Sequence, residues 1–453
     1  MINIKIDSRK IVPGDTFVAI KGANVDGHDF INKAIELGAT KIVMSEDIDC
    51  SVEKLLVDDT NEWLTNYISN TYSKEINKLN ILGITGTNGK TTTAYLTYQL
   101  LNKLGTKAAY IGTIGFYIPD EEVQILPNTT PNILDLYELL LQAKEKQCTT
   151  VIMEVSSHAL DQKRVQGIKF SIGAFTNFTQ DHLDYHKTME NYLNAKLLLL
   201  NQLKGPLLVN IDDKYSKEWT TRYNNYQSIG YNATNYKIIK YEDIPTGTLI
   251  TTSINNNTYN IETNLKSNFN IYNYLFALAF ANNSGYSIEE IIECTKDIYP
   301  PKGRCEQIIV NNGLAIIDYA HTPDAVEKII TSFNINKKGK IITLIGCGGD
   351  RDPKKRPIMG DIATKYSDYV IFTSDNPRTE DPKKILDDIL SGVNKDNYKV
   401  IIDRKEAIVA ALNMIKENDI VLILGKGHED YQIIGHDKIH LDDSEEVKKY
   451  INK

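Results

Sequence analysis

The first seventy-eight residues alternate short apolar runs with polar turns. Thr16–Ile20, Lys41–Met44 and Lys54–Val57 each read as a strand, and a helix is predicted near Asn32–Leu37. At Leu79 the pattern changes. Ile81–Thr85 predicts a buried strand, and the segment after it places Leu96, Leu100 and Leu104 on one helical stripe, closed by Gly105. Val151–Val155 predicts the next strand and residues 189–203 (MENYLNAKLLLLNQL) the next helix. Strands alternating with helices imply a parallel, doubly wound sheet. The Thr- and Asn-rich stretch Lys237–Glu262 alternates weakly and reads as a β excursion of that domain. Tyr299–Arg304 (YPPKGR) reads as a linker. Beyond it the alternation restarts with LAIIDYAH, IITLIGCGG, DYVIFTSDNPR and IVLILGKGHE. The expected domains are therefore 1–78, 79–302 and 303–453.

Length and composition fit that division. The chain has 453 residues, 42% apolar and 24% charged, enough for about three domains with their own cores. The net charge of -8 argues against a nucleic-acid surface, though not against a local basic pocket for a phosphorylated small molecule. Cys50, Cys148, Cys294, Cys305 and Cys347 are scattered with no C-x2-C pair, which suits a reducing compartment. The opening MINIKIDSRK has no apolar signal core, and no apolar run reaches membrane-span length. A cytoplasmic protein without membrane insertion is expected.

Candidate chemistry starts at Gly86–Thr92 (GTNGKTT), between a predicted strand and a predicted helix. Backbone N–H groups of such a turn point at phosphate oxygens. Lys90 can reach the β/γ phosphates and the Thr91 hydroxyl can ligate Mg2+. Ile84 stands where the usual phosphate loop has its first glycine, so a plain glycine turn before a helix is the alternative. Glu154 ends strand Val151–Val155, at the edge where parallel sheets bind ligands, and is a hard oxygen donor for Mg2+. Taken singly, His182 and His186 in DHLDYH are ordinary loop histidines and Lys196 a snorkelling surface lysine. Their order behind a phosphate loop is what suggests a phosphoryl-transfer site. In the third domain, Arg304, Asp318–His321, Arg351, Asp375–Arg378 and Gly425–Glu429 lie at or just after predicted strand ends, all on one rim. By itself Asp375–Arg378 (DNPR) is also a turn signal. A rim bearing both Arg and Glu suits a zwitterionic amino acid.

GITGTNGKTT, NTTP, MEVSSHALDQKRV, FTNFTQDHLDYH, NAKLLLL, FNIYN, PKGRCE, IDYAHTPD, GCGGDRD with KRP and MG, SDNPRTEDP and GKGHEDYQ run from near Asp7 almost to the C-terminus. Together they resemble the Mur ligases of peptidoglycan synthesis, most closely the third ligase of that series. EVSSHALDQKR and DNPR separate that branch from relatives, folylpolyglutamate synthetase included. The resemblance implies an α/β protein of three domains: a small N-terminal UDP-binding domain, a central P-loop ATPase domain with a doubly wound parallel sheet, and a Rossmann-like C-terminal domain. It implies an ATP-dependent ligase that adds meso-diaminopimelate to UDP-N-acetylmuramoyl-L-Ala-D-Glu through an acyl phosphate, acting as a monomer.

It also implies roles. Ser8 with Ala23, Asn24 and Val25 would hold the UDP end. Gly86, Thr87, Asn88, Gly89, Lys90, Thr91 and Thr92 would bind ATP, with Asn273, Arg304 and Asp318 placing the nucleotide. Thr129, Thr130, Ser156, Gln162 and Arg164 would hold the muramoyl dipeptide. Thr91, Glu154, His182 and a carbamylated Lys196 would bind Mg2+, and Lys90, Lys196, Glu154 and His182 would carry the chemistry. Arg351, Asp375, Asn376, Pro377, Arg378, Gly425 and Glu429 would form the amino-acid pocket. Members usually carry a longer segment before the DSR motif than the six residues here, so part of the support for the uridine pocket is expected to be missing. Three alternatives stay open. One is a paralogue adding L-lysine or another amino acid. Another is a folylpolyglutamate synthetase, which should lack the front domain and DNPR. The last is an ATP-driven binding module without ligase chemistry.

Overall fold

Four short strands, Ile4–Lys5, Thr16–Val18, Lys41–Met44 and Glu53–Leu56, pair in chain order as a parallel sheet. They belong to a computed structural model that describes every residue except Met1, Ala23, Asn24, Asp120, Glu122, Val123, Pro245, Thr246, Asn336 and Lys453. The chain forms two compact units. The first comprises Met1–Gly83, Thr106–Ser171 and Leu198–Lys204; the second comprises Ile84–Gly105, Ile172–Leu197 and Gly205–Lys453.

In the first unit the opening sheet is followed by helix Thr60–Ile76, started by Asp59, whose carboxylate accepts from the N–H groups of Asn61 and Glu62. The apolar pattern does not single out this helix, because Asn, Thr and Ser interrupt its Leu64–Ile68 stripe. It packs on helix Ile133–Glu145, which Asn132 caps. Ile4, Val18 and Val43 of the sheet, Leu64 and Ile68 of one helix, and Leu136, Leu139 and Leu140 of the other share a single buried core. Strand Thr150–Glu154 pairs in parallel with Ala108–Gly112, which pairs antiparallel with Gly115–Tyr117.

In the second unit, strand residues Gly173–Phe175 pair in parallel with Leu207–Asn210, and that strand with Tyr226–Gly230. The expected β excursion is present: Tyr236–Ile244, Gly247–Ile254 and Asn257–Thr263 form an antiparallel meander. The long helix predicted over 189–203 is shorter. It runs Met189–Leu197 in this unit, and the 3-10 turn Leu198–Gln202 that continues it belongs to the first. Helix Asn268–Asn283 is apolar on nearly every side and buried accordingly.

The C-terminal part holds a six-stranded sheet in the order Glu306–Val310, Gly313–Asp318, Ile420–Leu424, Ile341–Ile345, Tyr369–Phe372, Tyr398–Val400. All pairs are parallel except the first. That exception corrects one detail. Arg304 precedes a strand rather than following one, and the antiparallel pairing returns it to the rim where Asp318 ends its strand. Helices cover both faces over two apolar clusters, one around Ile330, Met359 and Ile389, the other around Ile408, Leu412 and Val447. Among the described residues no helix is long and apolar enough to cross a membrane.

Candidate active site

The turn between strand Asn80–Thr85 and helix Lys90–Lys103 is the candidate phosphate loop. Gly86 and Gly89 both have positive φ, at 147° and 85°. A Cβ on Gly86 would sit 2.0 Å from Thr176 Oγ1, and one on Gly89 2.5 Å from Asn273 Oδ1, so only glycine fits at either place. The loop is tied down by residues 175–179. Asn88 N–H donates to Asn177 Oδ1 at 2.9 Å, and Asn177 Nδ2 returns a bond to Asn88 O at 3.0 Å. Thr176 Oγ1 donates to the same carbonyl at 2.6 Å, and Thr179 N–H to Thr87 Oγ1 at 3.0 Å. These residues lie in the FTNFT stretch, whose part in holding the loop sequence reasoning did not assign.

Two lysines converge on one carbonyl. Lys90 Nζ donates to Gly86 O at 2.9 Å and Thr87 O at 2.8 Å, and Lys196 Nζ donates to Gly86 O at 2.7 Å. Lys196 is 1% exposed and its ammonium lies 4.7 Å from the Tyr192 ring centre. Burial, reinforced by the nearby Lys90 charge and only partly offset by Asp181, holds its amine well below the usual lysine range. Lys196 is thus no snorkelling surface lysine but a buried amine biased toward its neutral, nucleophilic form. His182 has a left-handed backbone (φ 52°), and its Nε2 lies 3.4 Å from Asp181 Oδ2. His186 is buried among Tyr185 and Tyr192.

Beside the loop lies a cavity of about 360 Å3, within the usual range for small-molecule sites. Gly89, Thr92, Asn273, Arg304 and Asp318, all expected to bind the nucleotide, line it. Asp318 accepts from the N–H groups of Cys305 and Ala320, both at 2.8 Å; burial raises its pKa and Arg304 opposes the rise. The Arg304 guanidinium stacks 4.6 Å over the Tyr319 ring, with its Nε buried and unpartnered. Asp212, Asp213, Tyr272 and His321 line the cavity too. The two aspartates and the tyrosine were not foreseen. Asp212 and Asp213 follow strand Leu207–Asn210, so two acids at a strand's carboxyl edge were the available signal.

In the first unit, Glu154 is fully buried. Its Oε1 accepts from Tyr110 Oη at 2.6 Å and Thr113 N–H at 2.8 Å, and its Oε2 from Thr113 Oγ1 at 3.2 Å. Residues expected to hold the dipeptide form a chain around it. Thr113 Oγ1 contacts Thr129 Oγ1 at 3.0 Å, Thr130 Oγ1 donates to Glu154 O at 2.8 Å, and Ser156 N–H donates to Thr130 Oγ1 at 3.1 Å. Arg164 Nη1 donates to Thr130 O, and its Nε and Nη2 grip Gln162 Oε1. Ser8 is buried in the 3-10 turn Ser8–Lys10 and Val25 is exposed; no hydrogen bond described here ties either to that chain. Ala23 and Asn24 lie outside the described residues.

The amino-acid set assembles on the C-terminal rim. Asn376 Nδ2 donates to Glu429 Oε2 at 2.7 Å, and Asn376 Oδ1 accepts from Ile433 N–H at 2.9 Å. A Cβ on Gly425 would meet Asp375 Oδ2 at 2.6 Å; one on Gly348 would lie 2.9 Å from Arg378 Nη1 and 3.7 Å from Arg351 Cγ. The loop closes at Pro377, whose carbonyl accepts from Glu380 N–H at 3.1 Å. Arg378 donates to Gly349 O at 2.8 Å and has no carboxylate partner among the described residues. Burial and the neighbouring Asp375 charge raise the Glu429 carboxyl, against the pull of Lys426. Arg351 is exposed. The rim therefore carries a guanidinium bonded to backbone carbonyls without a carboxylate partner among the described residues, and a Glu429 carboxylate that Lys426 approaches at 3.5 Å.

A residue set of this kind needs hard-ion ligands as well. Among the described residues no three His, Cys, Asp or Glu side chains group to hold a metal; the expected Mg2+ set counts a hydroxyl and a modified lysine instead.

A glycine turn at a helix start, a cavity beside it and a rim bearing both Arg378 and Glu429 are what a nucleotide-driven enzyme that handles an amino acid would need. The chain belongs to the Mur ligase family: the family's catalytic-domain model matches residues 2–84, its middle-domain model residues 84–281 and its glutamate ligase domain model residues 303–427. It is an ATP-dependent ligase that forms amide bonds. A relative from Clostridium acetobutylicum, UDP-N-acetylmuramoyl-L-alanyl-D-glutamate–2,6-diaminopimelate ligase 1, is 41% identical over 100% of this chain and 95% of its own. A solved structure of a ligase with that name is 30% identical, with a TM-score of 0.70 over 100% of this chain and 95% of its own. Folylpolyglutamate synthase of Mycobacterium tuberculosis, complexed with ADP, is 13% identical with a TM-score of 0.67 over 81% of this chain and 92% of its own, and so shares the fold alone.

Proposed function

We propose that this ligase joins meso-diaminopimelate to the D-Glu carboxylate of UDP-N-acetylmuramoyl-L-Ala-D-Glu in peptidoglycan synthesis. The observation that carries the choice of amino acid is Arg378, a guanidinium with no carboxylate partner among the described residues, on a rim that also bears Glu429. Diaminopimelate has a second carboxylate at its far end, and a planar guanidinium can bind it bidentately. Lysine would set an ammonium against that same cation.

The chemistry follows from the residues. The dipeptide carboxylate is a poor electrophile, so the ATP γ-phosphoryl group is transferred to it first. The amino-acid amine then attacks the acyl phosphate, and phosphate leaves. Lys90 and the N–H groups of the loop stabilise charge on the transferring group. Asn273, Arg304 and Asp318 place the nucleotide; Thr129, Thr130, Ser156, Gln162 and Arg164 hold the dipeptide, and Ser8 and Val25 the UDP end. Thr91, Glu154, His182 and Lys196 are the residues we assign to Mg2+, which would neutralise phosphate charge when bound. Glu154 fits because its carboxylate is already oriented by Tyr110 and Thr113. Lys196 fits because burial disfavours its charged form, and the neutral amine would react with CO2 to give a carbamate and a proton, exchanging a cation for an oxygen ligand. Three domains, 1–78, 79–302 and 303–453, are the reading supported by the extents of the family matches. The free cysteines support a cytoplasmic setting.

Phosphate release measured with and without each substrate tests the proposal. Turnover should need the UDP-muramoyl dipeptide and diaminopimelate together. Equal ATP hydrolysis without them would leave only an ATP-driven module, and equal kcat/KM for L-lysine would overturn the amino acid.

A further inference from the structure

Residues 346–351 and 375–380 form two loops laced together around one buried cation. Arg356, in the first turn of helix Lys355–Tyr366, is 1% exposed. Its Nη1 donates to Glu380 Oε2 at 2.9 Å and to Asp388 Oδ2 at 2.8 Å; its Nη2 donates to Glu380 Oε1 at 2.8 Å and to Gly348 O at 3.2 Å. Glu380 Oε1 also accepts from Asp350 N–H at 2.5 Å. The Asp350 carboxylate is held in turn by Thr379, from Oγ1 at 2.8 Å and N–H at 3.3 Å. Gly349 N–H donates to Asn376 O at 2.9 Å, and a Cβ on Gly349 would overlap Pro377 O at 1.9 Å. Asp350 and Arg378 both carry left-handed backbones, φ 53° and 52°, which side-chain-bearing residues adopt only under such restraint.

Glu380 stands two residues beyond Arg378 in the chain and Asp350 one residue beyond Gly349, the carbonyl that Arg378 contacts. Either carboxylate, if loose, would be a local partner for that guanidinium. Both are occupied: Glu380 by a two-pronged bond to Arg356, Asp350 by Thr379. Arg356 itself is enclosed, with both Nη atoms committed and only the buried Nε unpartnered, so it is not a ligand for substrate. Resting on the diaminopimelate reading, we propose that Arg356 is a positioning residue for amino-acid selection. It sequesters Glu380, and Arg378 is thereby left without a carboxylate partner among the described residues, available to the distal carboxylate of the incoming amino acid.

The test compares kcat/KM for meso-diaminopimelate and L-lysine in the full-length enzyme. In Arg356→Met, Glu380 stays charged and captures Arg378. The preference for diaminopimelate should fall about ten- to hundredfold, through KM for that amino acid, with KM for ATP unchanged. Adding Glu380→Gln should restore the preference, because the competing charge is gone. A purely structural role predicts lower active fraction at an unchanged preference and no rescue. Either of those results overturns the proposal. Should Arg356→Met fail to fold, Arg356→Lys keeps the charge without the fork; it should show an intermediate preference, raised again by Glu380→Gln, and a preference equal to that of the unmutated enzyme overturns the proposal as well. If the unmutated enzyme itself does not prefer diaminopimelate, the substrate reading fails first, and visibly so.

Discussion

Lys90 and Lys196 share the Gly86 carbonyl, yet their chemistry differs because their surroundings do. In the proposed mechanism Lys90 acts as a cation. Its replacement by alanine should lower kcat by about three orders of magnitude, the scale of a lost charge-stabilising donor in phosphoryl transfer; steady-state phosphate release checks this. In the proposed mechanism Lys196 acts as an amine first, taking up CO2. Lys196→Ala should be nearly inactive and should regain part of its turnover with a short carboxylic acid added, since the missing group is an oxygen ligand. Failure of every small carboxylate to rescue it would argue for a role as plain lysine. Arg378→Ala should erase the preference for diaminopimelate over lysine, about 10⁴-fold where a polar site is left unsatisfied by the wrong substrate, while ATP use survives. Where candidate residues would fall was largely legible: motif context placed Lys90, Glu154, Arg378 and Glu429 at or just beyond strand or helix ends, where the structure has them. Their partners were not, because Tyr110 and Thr113 reach Glu154 from another strand and its following turn, a juxtaposition that no spacing in one segment encodes.

Elements differ in how plainly they declare themselves. Strands Lys41–Met44 and Asn80–Thr85 stand out because a central parallel strand is apolar on both faces. Helix Thr60–Ile76 does not, since its burial comes from a distant helix rather than from a strong stripe of its own. The phosphate turn is rigid by geometry. Gly86→Ala would force a Cβ onto Thr176 Oγ1. Overpacking of about 1–3 kcal/mol, confined to the loop, should appear as roughly ten- to hundredfold weaker nucleotide binding at near-normal melting temperature. A different element depends on charge. The C-terminal helix Asp443–Ile451 is fastened by Asp443 to Arg404, with both side chains fully buried and bonds of 2.7 and 2.8 Å. Arg404→Met strands a buried carboxylate and should cost about 3–5 kcal/mol; replacing both partners by apolar residues should cost far less. Denaturant titration separates the two.

Acid stability is a property of the whole molecule. His428 is pushed down to about 3 by burial and by the positive charges of Arg304, Lys302 and Lys426, and its Nδ1 is enclosed without a partner. The unfolded chain therefore takes up a proton below the ordinary histidine value of 6.5 that the folded chain refuses. Stability from this group is complete above that pH and drains away as pH falls toward 3, at no more than about 1.4 kcal/mol per pH unit. His428→Gln should lose less stability than the unmutated protein between pH 7.5 and pH 5; equal losses would remove His428 as a cause.

The core that joins the opening sheet to helices Thr60–Ile76 and Ile133–Glu145 bears on how such enzymes can be recombined. Residues 1–78 are not a detachable cassette. Transplanted alone onto a sister ligase, they would bring Leu64 and Ile68 to a surface shaped for other side chains, and the recipient's own counterpart of Leu136–Leu140 would meet a stranger. A chimera that also carries residues 106–171 exchanges both halves of the seam at once, and should be the graft that folds.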